Sequence, residues 1–148
     1  MRKTLLLLLS CVLGYTVPAF AAESPPTEVV VLDQARVAAA FEKGMPLLIN
    51  SSYKIQAGRR VTAPGQVEVH EHDTDIFYVL EGTATIVTGG RTEGAKTTGA
   101  GEIRGDTVTG GTKRKLAKGD VIVIPNGVPH WFTEVSNPFL YFVIKVTK

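Results

Sequence analysis

The chain has 148 residues, a length that suits one domain. Its 16 basic and 14 acidic residues give a formal net charge of only +2. This balance argues against nucleic acid or an anionic membrane surface as a partner, because both attract strongly basic proteins.

The first 21 residues are typical of a secretory signal peptide. Arg2 and Lys3 provide a basic start, an apolar run follows from Leu5 to Val17, and Ala19-Phe20-Ala21 places small residues where a signal peptidase cleaves. We therefore predict a signal peptide over residues 1–21 and a periplasmic or secreted mature protein. After cleavage, no membrane association is expected.

Two other interpretations of this segment stay open. The apolar run could anchor the chain in a membrane, although it is short for a span of about 20 residues. Alternatively, Leu8-Leu9-Ser10-Cys11 resembles a lipoprotein cleavage site, at which Cys11 would carry the lipid. Since Cys11 is the only cysteine, a chain cleaved after Ala21 has no disulfide.

Residues 22–46 are expected to form an N-terminal segment with one short helix. Asp33 can cap a helix from Gln34 to Lys43, in which apolar residues recur at spacings of three and four. Gly44 is placed to end this helix, and a proline follows two residues later.

Residues 47–148 contain short runs of β-branched and aromatic residues, separated by turns rich in glycine and proline. This pattern predicts an all-β sandwich or barrel. Residues 89–112 differ, because they hold eight of the fifteen glycines and many threonines. We expect them to form a surface loop or a long hairpin, with a lid over the barrel mouth as the alternative.

The three histidines are the candidate metal ligands. His70 and His72 lie two residues apart on a predicted strand, so their side chains share one face at roughly 7 Å along the chain. His130 begins a distant strand. Imidazoles on separate strands can converge on one ion, but spacing alone does not establish that they do.

The residues before His130 resemble the second motif of the cupin superfamily. That motif has a glycine, five residues, a proline, one residue, a glycine, two residues and a histidine, and Gly119, Pro125, Gly127 and His130 match it. The asparagine that the family has four residues later is Glu134 here.

The first cupin motif is similar to the stretch from Gly65 through His70-Glu71-His72 and Asp75 to Gly82, with three departures. Four residues rather than five separate the first glycine from the first histidine. Aspartate stands where the family has glutamate, and two residues rather than three or four precede it.

The resemblance implies a cupin double-stranded β-helix, a jelly-roll barrel, that binds one divalent metal ion through His70, His72, His130 and Asp75. Asp73 or Glu68 could replace Asp75, or water could complete a set of three histidines. Such ligands suit Fe, Mn, Zn, Cu or Ni. The resemblance also implies a homodimer paired through edge strands.

Two classes of function are compatible with this interpretation. The first is a metal-dependent oxygenase, isomerase or lyase acting on a small molecule, with Glu68 or Tyr53 as acid or base. The second is a non-catalytic protein that binds a small ligand or the metal itself. The fold does not choose between them, because cupin barrels host many chemistries.

Overall fold

The computed structural model describes residues 23–148, so the predicted signal peptide and Cys11 lie outside the described residues. Within the described range, no helix has both the length and the apolarity needed to cross a membrane. The elements of this range are α1 (Gln34–Lys43), β1 (Pro46–Ile49), β2 (Tyr53–Arg60), β3 (Val67–His70), β4 (Asp73–Glu81), β5 (Thr83–Thr88), β6 (Arg91–Glu93), β7 (Lys96–Gly99), β8 (Glu102–Gly105), β9 (Thr107–Thr109), β10 (Thr112–Ala117), β11 (Val121–Ile124), β12 (His130–Val135) and β13 (Phe139–Thr147).

Helix α1 has the predicted bounds, because local signals set both ends. The Asp33 carboxylate accepts a hydrogen bond from the Arg36 backbone N–H at 2.8 Å, and Gly44 adopts a left-handed conformation with φ of 66°. The helix packs on the outer face of a sheet, where Phe41 meets Phe142 with ring centroids 5.0 Å apart.

Two antiparallel sheets form the barrel and confirm the predicted jelly-roll fold. The first has the strand order β1-β2-β13-β4-β11, and the second has the order β10-β5-β12-β3-β8-β7. A separate two-stranded ribbon joins β6 to β9.

The barrel interior is apolar at one end and polar at the other. An aromatic cluster of Phe77, Phe132, Phe139 and Tyr141 fills the apolar end, with ring centroids 5.1 to 5.8 Å apart. Along β13, the buried row of alternate residues that begins with Phe139 and Tyr141 ends in Lys145. The alternation of the strands therefore carries charged side chains into the barrel beyond the aromatic core.

Residues 89–112, predicted to form a surface loop or a long hairpin, contain the four short strands β6 to β9. Strand β8 pairs with β3, and β7 pairs with β8, so these two strands extend the second sheet. The register places Glu102 directly opposite His70. This segment therefore contributes a side chain next to a candidate metal ligand.

Candidate metal centre

A tight turn decides which residues of the first motif face the barrel interior. Strand β3 ends at His70, and two residues, Glu71 and His72, lead directly into β4. The turn is fixed because the Gly127 N–H donates to the His70 carbonyl at 2.8 Å and the Asn126 side-chain amide donates to the Glu71 carbonyl at 3.0 Å. Thus the second motif braces the first.

Glu68, His70 and His130 bring their ligand atoms together within 4.8 Å. Glu68 and His70 are two residues apart on β3, and His130 on β12 is the register partner of Glu68. The distance from His70 Nε2 to Glu68 Oε2 is 3.5 Å, and both histidines are buried. Two neighbouring strands therefore supply two imidazoles and one carboxylate to the same point.

Both imidazoles are oriented through Nδ1. The Nδ1–H of His70 donates to the Glu102 carboxylate, at 2.9 and 3.0 Å from its two oxygens, and that of His130 donates to the Val128 carbonyl at 3.3 Å. Among the described residues, neither Nε2 atom has a hydrogen-bond partner, although both are buried. A neutral imidazole with its proton on Nδ1 has its lone pair on Nε2, so this arrangement fits a metal ion.

Asp75 borders the cluster, but a lysine holds its carboxylate. Its Oδ2 lies 3.5 Å from His70 Nε2 and 3.7 Å from His130 Nε2. Lys145 donates to both Asp75 oxygens, at 2.7 and 2.6 Å, and both side chains are almost completely buried. In this arrangement Asp75 neutralises a lysine and does not point a free carboxylate at the imidazoles.

Two arginines hold the Glu68 carboxylate. Arg60 Nη2 donates to Glu68 Oε1 at 3.0 Å, and Arg104 Nη2 lies 3.8 Å from Oε2. Arg60 also donates to the Tyr141 hydroxyl at 3.3 Å. A Cβ atom at Gly58 would lie 2.3 Å from the Tyr141 ring, so the glycine makes room for this contact.

These neighbours shift the protonation of the cluster. Burial alone would raise the pKa of Glu68, but the His70 contact and the charges of His130, Arg104 and Arg60 outweigh burial and hold the pKa far below its ordinary value. Glu68 therefore stays ionised.

The two histidines shift in opposite directions. Burial lowers the pKa of His130, and nothing nearby fully compensates. Burial also acts to lower the pKa of His70, but the contact with Glu68 and the charges of Asp75 and Glu102 raise it overall. Of the two imidazoles in the cluster, His70 is therefore protonated more easily and His130 less easily than a free imidazole.

A cavity of about 150 Å³ lies beside the cluster, inside the barrel. Its walls combine the charged residues with aromatic and aliphatic ones: Gln56, Arg60, Glu68, Asp75, Phe77, His130, Phe132, Tyr141, Val143 and Lys145. A larger groove of about 490 Å³ lies between the edge strands β10 and β11, but it contains no histidine. The smaller cavity is therefore the candidate site for a ligand of the ion.

The structure does not bring His72 or Tyr53 to the cluster. His72 is exposed on the turn and lies in a different cleft, beside Gly101 and Asp73. Tyr53 lies on β2 at an odd-numbered position with Ile55, which packs under the helix, whereas Gln56 on the opposite face lines the cavity. Tyr53 points away because residues of a strand alternate between the two faces of the sheet. His72 lies outside because it belongs to the turn between β3 and β4.

A different alignment of the first motif explains why His72 lies outside the cluster. If Glu68 and His70 are taken as its paired ligands, four residues separate His70 from Asp75 and six separate Asp75 from Gly82. Five residues then separate Thr62 from Glu68, so all the irregular spacings disappear. In this alignment the motif differs from the family by three substitutions: Thr62 replaces a glycine, Glu68 a histidine and Asp75 a glutamate. With these spacings Glu68, which the sequence offered only as a replacement for Asp75, takes the place of the motif's first histidine.

The comparison with protein families agrees with the fold. The model of the family described as Cupin matches residues 20–148. The chain belongs to the cupin family. No curated protein sequence matches it significantly.

Solved structures share the fold at low sequence identity. Protein BH2720 from Bacillus halodurans is 15% identical with a TM-score of 0.57, over 86% of this chain and 87% of that one. Protein NMB1881 from Neisseria meningitidis is 16% identical with a TM-score of 0.53, over 81% of this chain and 100% of that one. DMSP lyase DddQ from Ruegeria pomeroyi is 19% identical with a TM-score of 0.47, over 68% of this chain and 41% of that one, so this chain spans about two fifths of its length.

Proposed function

We propose that this protein is an exported cupin that binds one divalent metal ion through Glu68, His70 and His130, and that it binds or transforms a small molecule beside the ion. One observation carries the proposal: two buried Nε2 atoms without partners in the described residues lie next to an ionised carboxylate. Buried polar atoms without partners are costly, and a cation shared by all three groups would remove that cost.

The ligand set restricts the metal to a group of transition ions. Two imidazole nitrogens and a carboxylate oxygen suit Fe, Mn, Zn, Ni or Cu, whereas Ca and Mg prefer oxygen ligands alone. Three protein ligands leave positions for water or a substrate oxygen. When bound, such an ion supplies a Lewis acid that polarises a carbonyl or hydroxyl oxygen.

The remaining residues of the cavity would orient the small molecule. Phe77, Phe132 and Tyr141 give the cavity aromatic walls, and Gln56 and Lys145 line it with hydrogen-bond donors. The predicted reactions are those of an oxygenase, isomerase or lyase. In this proposal Glu68 binds the ion and does not serve as an acid or base.

Non-catalytic binding is the second candidate, and one observation favours it. The two carboxylates that border the cavity, Glu68 and Asp75, are both ion-paired, to Arg60 and Lys145. Neither is a free general base. A protein that captures a small ligand or the metal requires no such base.

Export and pairing are further parts of the proposal. Export is supported by the pattern of residues 1–21, and the N-terminal sequence of the exported protein would test it, with Ala22 expected first.

A homodimer is supported by Tyr78, Val121 and Val123, which are exposed at the edge of the first sheet. Light scattering at increasing concentration would reveal whether the mass is that of one chain or two.

Elemental analysis of the protein isolated from its own compartment tests the metal proposal. We expect about one transition ion per chain. Redox-active Fe, Mn or Cu would favour oxygen chemistry, and Zn would favour Lewis-acid chemistry or binding. Folded protein without a transition ion would contradict the proposal.

A further inference from the structure

We propose that Glu102, within the glycine- and threonine-rich segment, is a positioning residue that fixes His70 as a metal ligand. The inference rests on the proposed metal site. It assigns strand β8 a role at the centre beyond the contact between Arg104 and Glu68.

The geometry places Glu102 against only one atom of the centre. Glu102 and His70 are register partners on adjacent strands, and both carboxylate oxygens lie within 3.0 Å of Nδ1. Nearby, the Glu71 N–H donates to the Gly101 carbonyl at 2.8 Å. The hairpin is therefore attached to the β3–β4 turn by main-chain and side-chain contacts together.

Arg104 links Glu102 to the carboxylate ligand. Its Nη1 donates to Glu102 Oε2 at 3.0 Å, and its Nη2 lies 3.8 Å from Glu68 Oε2. The Arg104 guanidinium thus faces both carboxylates. It binds Glu102 through Oε2, so in the described part of the chain the other oxygen, Oε1, contacts only the His70 imidazole.

A carboxylate at Nδ1 has two effects on an imidazole ligand. It keeps the proton on Nδ1, which leaves the lone pair on Nε2, and it makes Nε2 a stronger donor to a metal. Without Glu102, the His70 proton could move to Nε2, since Glu68 Oε2 lies 3.5 Å away and could accept it. That tautomer cannot bind a metal through Nε2. His130 relies on the Val128 carbonyl, so loss of Glu102 should affect His70 alone.

The experiment compares wild type, Glu102→Ala, Glu102→Gln and the control Glu93→Gln. Glu93 lies in the same segment, where its carboxylate pairs with exposed Arg91. The imidazole tautomers are measured by nitrogen-15 NMR of the metal-free protein, at a pH well above the pKa of a free imidazole. The affinity for Zn²⁺ is measured by calorimetry on the same samples.

We expect the Nδ1–H tautomer of His70 in wild type and in Glu93→Gln, with equal zinc affinities. In Glu102→Ala, the Nε2–H tautomer of His70 should appear and zinc affinity should fall by about 10- to 100-fold, as for other outer partners of metal-bound histidines. Glu102→Gln retains an acceptor oxygen, so it should keep the tautomer and lose several-fold in affinity.

Wild-type tautomer and wild-type zinc affinity in Glu102→Ala would overturn the inference. If that variant does not fold, Glu102→Gln decides, and an affinity equal to wild type would overturn it. If wild type binds no zinc while the tautomer of Glu102→Ala still changes, the metal site fails and the control of His70 by Glu102 is supported.

Discussion

Lys145 and Asp75 form a buried ion pair inside the barrel, with Nζ 2.7 and 2.6 Å from the two carboxylate oxygens. The pair lies at the edge of the candidate metal centre, because Asp75 Oδ2 is 3.5 Å from His70 Nε2. Lys145 therefore controls whether Asp75 is free to act as a fourth ligand, and its own charge opposes a cation nearby.

Replacement of Lys145 by methionine should weaken the metal-free fold and strengthen metal binding. Removal of one partner of a buried ion pair costs about 3–5 kcal/mol, because the other charge stays buried. Zinc would neutralise the freed Asp75, so Lys145→Met should unfold at a lower temperature than wild type without zinc and recover most of the loss with zinc. Thermal unfolding with and without zinc measures both effects.

Lys54→Met is the matched control for this variant. Lys54 is the register partner of Lys145 on the neighbouring strand, but it pairs with Asp73 and its side chain is 29% exposed. Its loss should cost less and leave zinc affinity unchanged. Weaker zinc binding in Lys145→Met than in wild type would contradict the role given to Lys145.

Glu68→Gln should lose both metal affinity and acid-sensitive stability. Zinc affinity should fall at least about 10-fold, since a ligand contributes no less than its outer partners. The lowered pKa of Glu68 means that its ionised form stabilises the fold above the unfolded-state value of about 4.3, and this contribution is lost as the pH falls through the folded-state value.

Urea unfolding of metal-free wild type and Glu68→Gln at a series of pH values tests this linkage. Wild type should be the more stable protein at neutral pH, and the difference should shrink as the solution is acidified below pH about 4. A difference that grew on acidification would mean that Glu68 is not held ionised.

Zinc binding should strengthen as the pH rises, because both ligating imidazoles must be neutral. The raised pKa of His70 stabilises the metal-free fold below the unfolded value of about 6.5, and this contribution is lost as the pH rises through the folded-state value. The lowered pKa of His130 leaves that residue neutral already. Calorimetry in buffers of different ionisation enthalpy should detect a proton released from His70 on zinc binding, in an amount that decreases as the pH rises. An affinity independent of pH would contradict this assignment.

The fold could be predicted from the sequence because its signals are local. Asp33 and Gly44 set the ends of the helix, and alternating apolar residues with glycine and proline turns define most strands. The second motif located His130 on the strand that carries it, because its turn residues are adjacent in the sequence.

The ligand register could not be predicted from residue type alone. Two histidines at alternate positions suggested one strand face, but the chain turns after His70 and leaves His72 outside. Glu68, which the sequence offered only as a replacement for Asp75, takes the inward place beside His70, and the motif spacings indicate that place.

The residues that contact the candidate ligands come from segments far away in the sequence, so their positions depend on strand pairing. Glu102 reaches His70 because β8 pairs with β3, and nothing in a glycine- and threonine-rich stretch specifies that register. The inward position of Lys145 was easier to predict. Lys145 follows Phe139, Tyr141 and Val143 at alternate positions of β13, so its side chain points to the same face.

The most direct test of the metal centre is a zinc titration of four folded proteins: wild type, His70→Ala, His130→Ala and His72→Ala. We predict one site in wild type and in His72→Ala, with the same affinity, and loss of that site in the other two variants. An equal loss of zinc in His72→Ala, or binding that survives in both His70→Ala and His130→Ala, would contradict it.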